Sequence, residues 1–105
     1  MLRMTEPGTR VGAIKRADAN TVYLYGWGTY QGSEIPEPRH PLLRLLAEAG
    51  VETPRIELDS GEVVYGAECF WGPAATIQSW IGSRAVEYSP VEDDLNQAGE
   101  DHEQR

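Results

Sequence analysis

The segment that most constrains this chain is Thr21-Val-Tyr-Leu-Tyr-Gly-Trp-Gly-Thr-Tyr-Gln-Gly32. It is the longest run of strand-forming residues, and it holds four of the nine aromatic side chains. Glycine weakens a strand interior and marks a bulge, a sharp bend or a close backbone approach. Gly26, Gly28 and Gly32 therefore predict a strongly coiled strand. A period of two puts Tyr23, Tyr25 and Trp27 on one face and Val22, Leu24, Gly26, Gly28 and Tyr30 on the other. Both faces are apolar. The strand is then either buried on both sides or presents aromatic rings to a partner.

The flanking residues build a sheet around it. Arg10-Val-Gly-Ala-Ile-Lys-Arg16 alternates, and Asp18-Ala-Asn20 is a turn signal, so residues 10–32 form a predicted hairpin. Three prolines between Ile35 and Pro41 forbid regular structure through that loop. Pro41 suits the first turn of a helix in which residues 42, 45, 46 and 49 share a face, with Gly50 as its stop. A second hairpin follows: Arg55-Ile-Glu-Leu58, a turn at Asp59-Ser-Gly-Glu62, and a return strand from Val63 to Trp71. Gly72-Pro73 breaks that strand. A second helix then runs from Ala74 to about Trp80, with Ile77, Trp80 and Ile81 on one side and Gly82 at its end. Ala85–Ser89 is the last strand.

The predicted order is ββα-ββα-β, an α+β domain spanning residues 10–91. The two halves read as a weak repeat of a hairpin–helix unit. The expected architecture is a small, strongly bent antiparallel sheet or an SH3-like barrel, with helices over its openings. Residues 1–9 read as a flexible leader. Residues 92–105 carry six acids against Arg105, a net charge of −5 within a total of −8, and read as an acidic disordered tail.

Charge and composition exclude several functions. No basic stripe exists to hold a phosphate backbone, which argues against ordinary nucleic-acid binding. No apolar run reaches membrane-spanning length, and Met1–Gly8 lacks an apolar signal core. A single cysteine, Cys69, permits no internal disulfide and suits a reducing, cytoplasmic setting. Two distant histidines and one cysteine do not make a metal site, and no cofactor is implied.

The chemistry-bearing groups are few. Cys69 could act as a nucleophile with His40 as its base, but a cysteine inside an apolar strand usually behaves as a small hydrophobe. Gly26-Trp-Gly28 lacks the helix start and Lys/Ser partners of a phosphate loop. No nucleophile–base pair or carboxylate pair stands at workable spacing, so an enzyme is not the expected reading. Glu68 lies in a strand that otherwise reads as buried. It either faces solvent from an edge strand, pairs with an arginine, or lines a ligand or partner site.

Val11-Gly-Ala-Ile14, the Val22–Gly32 segment and Ile56–Gly72 together resemble small hypothetical proteins of bacterial and phage genomes, over roughly residues 10–88. The resemblance implies a prokaryotic or viral origin and assigns no catalytic residue. The residues themselves leave two expectations. The first is a non-enzymatic binding protein holding a small planar anionic ligand of nucleotide type, such as a host-defence signal. The aromatic surface would consist of Tyr23, Tyr25, Trp27, Tyr65 and Trp71, within one chain or between subunits of a homo-oligomer. Arg10, Arg39 and Arg55 would meet the anion, and Glu68 would contact the ligand or partner. The alternative is an acidic protein that inhibits a host enzyme by covering its basic site, through the tail and the turn at Asp59 and Glu62.

Overall fold

The computed structural model describes residues 5–91. Within them the chain forms six strands, two helices and one 3-10 turn. Strands β1 (Arg10–Ala17) and β2 (Thr21–Glu34) come first, followed by helix α1 (Pro41–Glu48). Strands β3 (Thr53–Leu58) and β4 (Val63–Tyr65) precede the 3-10 turn at Gly66–Glu68. Strand β5 (Phe70–Pro73), helix α2 (Ala74–Ile81) and strand β6 (Ala85–Tyr88) complete the order. The sheet runs β4-β3-β2-β1-β5, and β6 is added to β2. All pairs are antiparallel except β2–β6, which is parallel. This is the α+β fold with a mainly antiparallel sheet expected from the pattern. It is not closed into a barrel, because β4 and β5 stand at opposite ends of the strand order.

The first hairpin turns as its residue types require. Asp18 Oδ1 accepts the backbone N–H groups of Asn20 and Thr21, both at 2.8 Å, and these two bonds hold the Asp18 carboxyl below its ordinary range. The bend in β2 has a specific cause. Ala13 pairs with Gly26 and Ile14 pairs with Leu24, so Tyr25 is an extra residue on β2. Lys15 is the compensating extra residue on β1. Such a bulge bends a strand and moves the residues beyond it to the opposite face. Gly26, at φ +147°, supplies a backbone conformation that a side chain rarely permits.

The bulge divides the interior in two. Val22 and Leu24 join Ile14, Ile77 and Ile81 in a cluster covered by α2. Tyr30, on the far side of the bend, joins Val11, Ala13, Ile56, Leu58 and Val64. Gly28 lies where β3 crosses closest: a Cβ there would stand 2.3 Å from the Glu57 carbonyl oxygen.

Three expectations need correction. The return strand from Val63 to Trp71 is broken at Gly66–Glu68, so the second half of the chain contains an additional strand. Helix α1 buries Leu43, while Leu42 and Leu45 are exposed. The predicted face at 42, 45, 46 and 49 is therefore rotated; with leucine at four of its first five positions after Pro41, apolarity alone cannot select a face. The leader is joined to the sheet within its described part, where the Gly8 N–H bonds the Tyr30 carbonyl at 2.7 Å and the Tyr30 N–H bonds that of Thr9 at 3.0 Å. The expected acidic tail at 92–105 lies outside the described residues. No helix among the described residues is long and apolar enough to cross a membrane.

Candidate functional site

The bulge separates the aromatic residues expected to share one face. Tyr25 packs toward the cluster that contains Tyr30, and Trp27 packs toward the cluster beneath α2. The Trp27 ring lies across Gly12, whose added Cβ would stand 2.6 Å from the ring. Tyr23 is covered by the Arg16 guanidinium at 4.0 Å from the ring centre. A continuous Tyr23–Tyr25–Trp27 platform is therefore absent, because one inserted residue reverses the alternation.

Tyr65 belongs to the interior, and Trp71 is partly buried against it while also lining the groove between β1, β5 and α2. Tyr65 is buried, and its hydroxyl accepts the Glu37 N–H at 3.3 Å. Trp71 stacks on Tyr30 with ring centres 5.0 Å apart. Cys69 packs against the same cluster, and its thiol donates to the Tyr65 carbonyl at 3.5 Å. Burial first, and the Glu68 charge second, push the thiol up to about 12. A thiol held neutral in this way is a poor nucleophile near neutral pH.

Each arginine assigned to an anionic ligand already holds a carboxylate. Arg10 grips Asp59 with two hydrogen bonds of 2.8 Å, which hold the Asp59 carboxyl below its ordinary range. Arg55 pairs with Glu34 at 3.1 Å and donates to Gln31. Arg39 donates to Glu68 at 2.5 Å. Glu68 is the centre of a knot: it also accepts the Tyr65 N–H at 2.8 Å and lies 2.8 Å from His40 Nε2. Its side chain is only 10% exposed. The solvent-facing expectation for Glu68 is thus replaced by a partly buried ion-pair network. Arg39 supplies the opposite charge, and the contacts of Arg39 and His40 tie the proline-rich loop to the 3-10 turn.

Two concave surfaces stand out among the described residues. The first is a groove of about 450 Å³ between β1, β5 and α2, lined by Ile14, Ala17, Phe70, Trp71, Thr76, Ile77 and Trp80. Phe70 is 73% exposed and Trp80 is 49% exposed, one on a strand and one on a helix. The Arg84 guanidinium lies 4.2 Å from the Trp80 ring centre and donates to the carbonyls of Asp18, Trp80 and Ile81. Lys15 and Arg16 adjoin the groove-lining residues Ile14 and Ala17 along β1.

The second is a hollow of about 380 Å³ walled by Tyr25, Gly26, Trp27, Leu58 and Tyr88, with Asp59, Ser60 and Glu62 on its rim. It occupies a gap along one edge of β2. That edge pairs with β6 up to Leu24 and with β3 from Gly28 onward. The bonds Ser89 N–H to Leu24 O, at 2.7 Å, and Asp59 N–H to Trp27 O, at 2.9 Å, bound the gap at its two ends. Tyr25 and Trp27 thus do belong to a surface hollow, in company that the local sequence pattern did not indicate.

Phe70, Trp80, Arg84 and Tyr88 were missed as site residues. Phe70 and Tyr88 stand in strand-like segments, and nothing in their neighbours marks them as exposed. Trp80 follows Ile77 by three positions, which a helical period assigns to the buried side. Comparison with protein families, with curated proteins and with solved structures returns no match.

Proposed function

We propose that this protein is a non-enzymatic binding protein for a small planar anionic ligand, seated in the groove between β1, β5 and α2. The observation that carries this reading is the pair of exposed rings, Phe70 on β5 and Trp80 on α2, that line an apolar groove of about 450 Å³. Ligand sites are typically concave and mostly apolar, with volumes of roughly 300–1,000 Å³ and a few polar groups that fix orientation. A flat ring between Phe70 and Trp80 buries its faces, and stacking of this kind is worth about 1–3 kcal/mol per base.

The anion's charge falls to groups other than those first expected. Arg10, Arg39 and Arg55 are engaged by Asp59, Glu68 and Glu34. Arg84 is bonded to carbonyl oxygens, which orient the guanidinium without supplying a full opposing charge. Its guanidinium lies 4.2 Å from the ring centre of the groove residue Trp80, with the Asp18 carboxylate near enough to feel its charge.

Calorimetry with nucleoside mono- and diphosphates and with ribose 5-phosphate tests the reading. Nucleotides bind, ribose 5-phosphate does not, and Phe70→Ala weakens nucleotide binding by about tenfold or more while leaving the melting temperature near that of the parent. Absence of heat with every nucleotide at millimolar concentration, or an unchanged affinity in Phe70→Ala, removes the proposal.

A further inference from the structure

We infer that the gap in the sheet edge between β3 and β6 is a binding site for a neutral saccharide ring. It shares no lining residue with the Phe70–Trp80 groove, so its fate is independent of the nucleotide reading.

The walls are aromatic and already set. The hollow of about 380 Å³ is of small-molecule size, and Tyr25, Trp27 and Tyr88 line it. The Trp27 indole is held at both ends. Its benzo edge lies across Gly12, and its Nε1–H donates to the Tyr88 hydroxyl at 3.2 Å. The β3–β4 turn is fixed as well: the Leu58 N–H bonds the Glu62 carbonyl at 2.8 Å, and the Gly61 N–H bonds that of Leu58 at 2.9 Å. Walls positioned before a ligand arrives lose little freedom when it binds.

The rim selects a neutral ligand that carries hydroxyl groups. Asp59 is gripped by both terminal Arg10 nitrogens at 2.8 Å, so this pair offers no net charge to a cation or an anion. Glu62, in the same turn, repels an anion, and one exposed carboxylate adds little for a cation. Hydroxyl groups meet neither difficulty. An ionised carboxylate has about four acceptor positions, and Arg10 occupies two of those on Asp59. The others, with those of Glu62, accept O–H donors in charge-assisted bonds, and the Ser60 hydroxyl adds a further partner. The Tyr88 oxygen accepts from Trp27, which leaves its own O–H to donate. A pyranose matches this set: its C–H faces lie against aromatic rings while its hydroxyls project from the ring edge. A purely apolar ring uses the walls but strips water from the rim carboxylates without replacing it.

The test is the indole N–H region of the full-length protein's proton–nitrogen spectrum, titrated to about 50 mM with methyl glucoside, methyl galactoside, N-acetylglucosamine and cellobiose. Cyclohexanol and glucose 6-phosphate serve as controls. At least one of the sugars is expected to move the Trp27 signal saturably, with an affinity that added salt leaves unchanged. Both controls bind more weakly than that sugar. Tyr88→Ala and Glu62→Ala, both at exposed positions, weaken its binding by about fivefold and twofold while the Trp71 and Trp80 signals keep their parent positions. A Trp27 signal unmoved by every sugar overturns the proposal. So does a sugar affinity unchanged in the Tyr88→Ala, Glu62→Ala double variant. Cyclohexanol or glucose 6-phosphate binding as tightly as the best sugar overturns the assignment to a neutral saccharide.

Discussion

The groove under α2 and the gap at the β2 edge are both walled by aromatic rings, yet their rims differ in charge. The groove residue Trp80 carries the Arg84 guanidinium on its ring, whereas Tyr25, Trp27 and Tyr88 share their hollow with Asp59 and Glu62. Aromatic surface supplies contact area in either place, and the charge beside it selects the sign of what can stay. No ring of β2 lines the groove, whereas Tyr25 and Trp27 both wall the gap. The comparison teaches that two aromatic hollows on one small sheet can differ in chemistry through the charged groups beside them.

The largest way to break this comparison is at Gly28. Gly28→Ala drives a methyl group into the β3 backbone, costs about 3 kcal/mol, and displaces β3 from the wall of the acidic gap. In chemical denaturation the midpoint falls sharply. Glu68→Ala sharpens the comparison from the other side. It leaves Arg39, His40 and the Tyr65 N–H without their shared acceptor, at a cost of about 2 kcal/mol given the partial exposure of the site. Because the 3-10 turn leads directly into Phe70, nucleotide binding weakens as well, measurable by calorimetry on the same preparation.

A smaller effect concerns Cys69, which immediately precedes Phe70 in the chain. Its thiol is pushed up to about 12 from an ordinary value of 9.0. The folded state therefore holds the proton more tightly than the unfolded state. The associated stability is fully present below about pH 9, where both forms are neutral. It declines as pH rises from there toward 12. Alkylation at pH 8 is correspondingly slow in the native protein and fast in denaturant; equal rates would mean that the strand behind the groove opens readily.

Much of the fold was legible because its signals are local. Asp18 and Asn20 marked the first turn, Asp59–Gly61 the second, Pro41 a helix start, and Gly82 a helix end. The face of α2 was legible at Ile77 and Ile81, where few other apolar residues compete. The bulge was not, because β2 is apolar on both faces and a one-residue slip places no polar group in the core. Only Gly26 hinted at it. The parallel docking of β6 on β2 is set by contacts distant in sequence, and Ala85–Tyr88 carries no mark of its partner. The Glu68 knot was half legible: a carboxylate amid apolar residues demanded a partner, and Arg39 was among the candidates, but His40 enters only because the proline-rich loop folds back.

The seating of a nucleotide in the groove is tested most directly by the three indole N–H signals of Trp27, Trp71 and Trp80 in one spectrum, recorded with a nucleoside diphosphate. The account predicts that the nucleotide moves Trp80 and leaves Trp27. Movement of Trp27 alone, or of no indole, would contradict it.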